Sequence, residues 1–199
     1  TACASSASSA KEAGISATPE QDRMLHTLAD CDVIPYLREV CGLPWSQQEI
    51  IDQIIQRMET FYSSQVRPKP GLEKFLSILK MEGVWMYVAT ATHRRLTEKA
   101  LKTAGIDHYF RGIVTSADAG NHKSESADIY EMAMRRLQSN KRDTVVFEDA
   151  LYAIRTAKAA GFRVAGVYEA TAEQDQPEIQ RLCDYYIRSY EELVQSETF

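Results

Sequence analysis

Three short stretches hold residue types that could do chemistry together. Val145–Phe162 reads VVFEDALYAIRTAKAAGF, an apolar run that stops at two adjacent carboxylates, Glu148 and Asp149, with a helical pattern straight after. Val88–Thr92 reads VATAT and ends on hydroxyls at Thr90 and Thr92, and Asn121–Ser126 reads NHKSES around Lys123. A hydroxyl with nearby backbone N–H groups can hold phosphate oxygens, and an ammonium can neutralise them. One or two carboxylates suit Mg²⁺, whose remaining ligands are usually water and substrate phosphate. The set therefore suits phosphoryl transfer, a reaction made mostly of positioning and charge stabilisation. Singly, each residue has a plainer reading. Thr90 and Thr92 could end a strand and cap a helix, Asp149 could be an N-cap, Lys123 a solvated loop lysine and Glu148 a surface acid.

The elements that must position these residues alternate. After Arg67–Gly71 (RPKPG), whose two prolines and glycine mark a boundary, helices are expected near 72–80, 95–103, 127–137 and 150–160. Strands are expected at 84–89, 112–115, 144–147 and 163–167, with 177–182, 185–188 and 190–194 closing the series. Such alternation implies right-handed crossovers and a parallel sheet. The runs VVF and VAGV suit strands covered on both faces. Ligands of such sheets bind at the carboxyl ends of the strands, where Thr90, Lys123, Glu148 and Asp149 all arrive. The first 67 residues show no convincing strand and read as helices over 2–13, 19–28 (with Thr18 as N-cap) and 33–40. A fourth opens at Ser46, where Ser46 and Glu49 have the spacing of a capping box. Its stripe of Ile50, Ile51, Ile54, Ile55, Met58 and Phe61 recurs at helical spacing. The expected division is 1–67, a helical domain, and 68–199, an α/β core.

Composition narrows the classes further. The chain has 199 residues, 44% hydrophobic, and a net charge of −5, which argues against a broad basic nucleic-acid face. No apolar run reaches the roughly 20 residues of a membrane span. Cys3, Cys31, Cys41 and Cys183 form no CxxC pair, and the expected state is free thiols in a reducing cytoplasm. His26, His93, His108 and His122 lack zinc-ligand spacing. The opening TACASSASSA has small residues but no basic or apolar signal-peptide region. Walker, GxGxxG and GxSxG motifs are absent from the sequence. A phosphoacceptor receiver domain would place its acids before the hydroxyl and its lysine last, and the order Thr90, Lys123, Asp149 excludes it.

In order, VATAT, the lysine of HKSESADIYEMAMRRL, and VVFEDALYAIRTAKAAGFRVAGVYE resemble motifs II, III and IV of the haloacid dehalogenase superfamily. The likeness is nearest to its beta-phosphoglucomutase-like phosphatases and runs from about Pro70 to Ser189. It implies an α/β fold, a Rossmann-like parallel sheet with an all-helical cap domain over residues 1–67. It implies that Thr90 and the Ala91 N–H bind the phosphoryl group and that Lys123 holds nucleophile and phosphate charges together. Asp149 would be a Mg²⁺ ligand with Glu148 as its acidic neighbour. Motif III departs from the frequent lysine-then-proline form, reading KSESAD, which bears on loop shape rather than on the lysine.

The larger departure is motif I. In the family, a strand ending in DxDx(T/V) before the cap supplies the aspartate nucleophile, the acid/base aspartate and further Mg²⁺ contacts. Asp22, Asp30 and Asp32 follow no apolar strand and are not assigned to it. The family's motif I strand lies between the strands equivalent to 84–89 and 144–147. Without it a gap of roughly 9–10 Å is expected there, with unpaired edges that folded proteins avoid. The nucleophile is thus expected upstream of Thr1, on a longer parent protein, and the 199-residue chain alone is expected to be inactive. The implied function is a cytoplasmic, Mg²⁺-dependent phosphomonoesterase acting on a small phosphorylated metabolite through an aspartyl-phosphate. The alternatives are a sugar-phosphate mutase of the same family and a non-catalytic HAD-like binding or regulatory domain.

Overall fold

The computed structural model describes residues 18, 35–36, 38–40, 42, 44–64 and 66–195. The chain divides into two compact units, Thr1–Val66 and Arg67–Phe199. The expected helices at 2–13 and 19–28 lie outside the described residues. Of 33–40, residues 35–36 and 38–39 are helical.

Within the first unit, α1 (Gln47–Ser64) is an 18-residue helix. Its start is built as the spacing predicts. The Ser46 N–H donates to Glu49 Oε2 at 2.8 Å, and the Glu49 N–H donates back to Ser46 Oγ at 3.3 Å. Ile50 is completely buried and Tyr62 nearly so; the rest of the apolar stripe lies outside the described side chains.

The second unit alternates. Helix α2 (Leu72–Met81) precedes β1 (Met86–Thr90), α3 (Arg94–Thr103), β2 (Phe110–Thr115), the single turn α4 (Ser116–Ala119) and α5 (Asp128–Arg136). Then come β3 (Val145–Glu148), α6 (Leu151–Ala159), β4 (Arg163–Val167), α7 (Gln176–Leu182), β5 (Tyr185–Ile187) and α8 (Tyr190–Gln195). All strand pairs are parallel, with β1 beside β2 in one sheet and β3, β4, β5 in order in another. Among the described residues, β1 pairs only with β2 and β3 only with β4. Among the described residues no strand bridges β1 and β3.

One core nevertheless spans both pieces. Val114 of β2, Ile129 and Tyr130 of α5, Val146 of β3, Ile154 of α6 and Val164 of β4 form one buried cluster. Helix α5 presents this face because Ile129, Tyr130 and Ala133 fall on one helical stripe, all buried. Its charges also suit the helix dipole, with Asp128 and Glu131 in the first turn and Arg135 and Arg136 in the last. The opposite face is covered by Phe75 of α2 and Tyr190 of α8, packed on Ala165, Val167 and Ile187.

Two glycines permit close approaches. Gly71 has φ +78, and a Cβ there would meet the Glu191 backbone nitrogen at 2.5 Å. A Cβ on Gly166 would lie 2.7 Å from Ile179 and 2.8 Å from Cys183 Sγ, so its absence lets α7 press on β4.

The reading of VVF as a strand covered on both faces needs correction. Val146 is buried, but Phe147 is 42% exposed. Its ring reaches only the margin of the second cluster, 5.8 Å from Phe75, and among the described residues β3 has no strand partner on the side away from β4.

Candidate active site

The parallel register brings the functional strand ends to one edge. Thr90 pairs with Thr115, so β1 and β2 end level. The chain leaves β2 through a tight capping box, in which Thr115 Oγ1 accepts from the Asp118 N–H and Asp118 Oδ2 accepts from the Thr115 N–H at 2.7 Å. Arg94, at the start of the helix after the Thr90 loop, donates to both Ile113 O at 2.9 Å and Asp118 Oδ2 at 2.8 Å. The exits of β1 and β2 are thereby tied together.

Lys123 follows eight residues after Thr115 and reaches the last residue of β3. Its Nζ donates to Glu148 Oε2 at 2.8 Å, with both side chains buried, 10% and 8% exposed. The exit of β3 therefore lies on the same side as that of β2. Tyr130 OH donates to the same Oε2 at 2.8 Å. The other oxygen, Oε1, accepts from the Asp149 N–H at 3.3 Å and, at 3.5 Å, from the Ala150 N–H.

These contacts revise the plainer readings. Glu148 is the buried terminal residue of β3 and not a surface acid. Lys123 is buried rather than solvated. Asp149 does not cap α6: the N-cap position is Ala150, without a side-chain cap bond, since Glu148 turns back onto the first free N–H groups. Thr90 and Thr92 do not cap α3 either, whose N-cap is His93. Instead Thr90 Oγ1 accepts from the Thr92 N–H at 3.1 Å, which curls the exit loop over the strand end. Thr90 is half-buried and Ala91 exposed at that turn. Among the described residues, no hydrogen bond joins Thr90 to the Lys123–Glu148 pair.

The electrostatics separate the two acids. Burial works to raise the Glu148 carboxyl, but the Lys123 charge and the bonds from Lys123, Tyr130 and Asp149 outweigh it and hold it below the usual range. Asp149 is pushed up to about 6, first by burial and then by the negative charge of Glu148 beside it. Two adjacent acids facing one lysine leave excess negative charge at Asp149, a setting that a bound cation relieves. Among the described residues no group of three or more His, Cys, Asp or Glu could hold a metal by itself. Asp149 with Glu148 thus fits part of a Mg²⁺ site, the ion needing further oxygens from elsewhere.

Tyr130 escaped the sequence reading. The available signal was a tyrosine on the apolar stripe of a helix, whose hydroxyl must find a partner when buried. A cavity of about 290 Å³ at the ends of β4 and β5 is lined by Lys69, Val167, Tyr168, Arg188 and Tyr190, and by none of Thr90, Lys123, Glu148 and Asp149. Its cations are engaged, Lys69 by Glu169 at 2.8 Å and Arg188 over the Tyr168 ring.

The sequence pattern of the haloacid dehalogenase-like hydrolases matches residues 3–167, and the chain belongs to that family. A phosphorylated carbohydrates phosphatase from Thermotoga maritima is 24% identical over 151 residues, which cover 75% of this chain and 69% of that relative. The structure of CbbY from Rhodobacter sphaeroides, in complex with xylulose-(1,5)bisphosphate, superposes with a TM-score of 0.77 at 22% identity, over 96% of this chain and 88% of that one. Beta-phosphoglucomutase from Clostridium difficile gives 0.72 at 16% identity, over 96% and 86%. These two likenesses show the fold: a haloacid dehalogenase-type α/β unit of the beta-phosphoglucomutase-like kind. Among the described residues no helix is long and apolar enough to cross a membrane.

Proposed function

We propose that this chain carries most of the active site of a Mg²⁺-dependent phosphomonoesterase acting on a small phosphorylated metabolite in the cytoplasm. The observation that carries the reading is the buried Lys123–Glu148 pair beside Asp149, on the sheet edge where Thr90 ends β1. Lys123 would neutralise phosphate oxygens with the ammonium hydrogens that Glu148 leaves unused. Thr90 Oγ and the Ala91 N–H would orient the phosphoryl group. Asp149 would hold Mg²⁺, while Glu148, whose oxygens already accept from protein donors, would stand behind it and fix Lys123. The ion supplies charge stabilisation for the phosphoryl oxygens when bound.

The nucleophilic carboxylate belongs, in this proposal, to a strand upstream of Thr1 that pairs between β1 and β3. The arrangement of the strands supports this, since among the described residues neither β1 nor β3 has a strand partner on that edge. Residues 1–67 would serve as the cap that selects the substrate, and 68–199 as the core. The chain alone would bind phosphate but not turn it over. Names of relatives favour sugar phosphates as substrates, one being a phosphatase of phosphorylated carbohydrates and another a complex with a sugar bisphosphate.

The test is hydrolysis of p-nitrophenyl phosphate by the parent protein extended upstream of Thr1, with and without Mg²⁺. Metal-dependent turnover that falls at least ~100-fold in Asp149→Ala is expected. Metal-independent turnover, or full activity in that variant, would remove Asp149 from the metal site. Complete absence of turnover would move the reading to a binding domain, and isomerisation of a sugar monophosphate without phosphate release would move it to a mutase.

A further inference from the structure

We propose that Tyr130 is a positioning residue for Lys123, holding the ammonium through a shared carboxylate oxygen. The inference rests on the reading of Lys123 as the group that neutralises phosphate. Lys123 Nζ and Tyr130 OH both donate to Glu148 Oε2, each at 2.8 Å. The ammonium also lies 5.5 Å from the centroid of the Tyr130 ring, within reach of the ring's electrostatic attraction. Tyr130 thus meets the lysine twice, through the carboxylate and through its own face.

A lysine needs such help. Its side chain carries about 2 kcal/mol of rotamer entropy and three rotatable donors, and binds as a point charge without preferred direction. Glu148 alone could follow the ammonium through several rotamers. With Oε1 facing the Asp149 and Ala150 N–H groups and Oε2 fixed by the tyrosine, the carboxylate has one orientation left. The Tyr130 hydroxyl is the donor of this bond and the carboxylate oxygen its acceptor.

The tyrosine is itself packed on all sides. It is 4% exposed, and its ring packs edge-on against Phe162 at 6.2 Å. Its neighbours Ile129 and Ala133 anchor α5 in the core that spans both sheet pieces. The position of Lys123 is therefore referred to the most buried part of the molecule rather than to its own polar loop.

Tyr130→Phe removes only the hydroxyl. The test compares the rate of reductive methylation at Lys123, read by peptide mass spectrometry, in the wild-type chain and the variant, with Lys141 as internal reference. A rise of about 3- to 10-fold at Lys123 alone is expected, the factor that one such hydrogen bond is worth. Ile129→Val, a core change on the same turn, controls for general loosening and should leave the Lys123 rate unchanged. No rise in Tyr130→Phe, or an equal rise in Ile129→Val, overturns the inference. Calorimetric binding of inorganic phosphate to the wild-type chain tests the underlying reading separately. If phosphate does not bind while Lys123 labelling rises as expected, the positioning of the lysine stands and its phosphate role falls.

Discussion

Two lysine–carboxylate pairs of nearly equal length sit at opposite ends of this sheet. At the carboxyl edge, Lys123 meets Glu148 at 2.8 Å with both side chains buried. At the amino end of β4, Lys158 meets Asp184 at 2.7 Å, with 29% and 34% of the side chains exposed. Asp184 also accepts from the Val164 N–H at 2.7 Å, which joins the start of β4 to the loop before β5. The second pair does structural work that water partly screens. The first takes two charges out of water, a cost that a structural tie alone would not require. The difference teaches where to look for function, since bond length is the same and only the surroundings differ.

Breaking the buried pair should have the largest effect. Lys123→Met leaves Glu148 buried without its cation and should lower unfolding free energy by about 3–5 kcal/mol in a denaturant titration. Adding Glu148→Leu should recover most of that loss, because the unpaired charge is gone. A double variant no more stable than the single one would contradict the assignment of the cost to charge burial. At the other end, Asp184→Ala should lose about 1–2 kcal/mol, chiefly through the Val164 N–H left without its acceptor. A loss as large as that of Lys123→Met would erase the contrast.

Acid sharpens the comparison. Slight burial works to raise the Asp184 carboxyl, but the bonds from Lys158 and the Val164 N–H bring it below the usual range. A carboxyl lowered on folding stabilises fully above its unfolded value of roughly 3.9, and that gain disappears as pH falls through the folded value. Thermal unfolding between pH 6 and pH 3 should therefore fall less steeply in Asp184→Asn than in the wild type. The smallest change should come from Arg155→Ala, whose partner Glu178 lies at 2.7 Å but whose own side chain is 56% exposed. About 0.2–1 kcal/mol is expected, less at high salt.

Much of this was legible in the chain itself. The alternation after Gly71 and the capping box at Ser46 depend on neighbours a few residues away, and the elements form close to where the pattern puts them. The boundaries at the site were less legible. Glu148 belongs to β3 rather than to the loop after it, because the ladder with β4 extends to the Glu148–Gly166 pair. The exposure of Phe147 depends on what packs beside β3, and no local pattern encodes that.

The sequence by itself determined the kinds of element, their order, and the chemical types at the strand ends, because helical and strand periods and glycine stops act over short range. Tertiary structure decided what those types do. Lys123 and Glu148 are 25 residues apart and Tyr130 and Glu148 are 18 apart, and all three meet only because α5 packs across the split sheet. Packing there turns a loop lysine and a pair of acids into a held cation, a carboxylate that the lysine and the tyrosine hold below its usual range against burial, and a neighbour that burial pushes above it. Desolvation depends on everything packed around a group, and that sum exists only once the chain is folded.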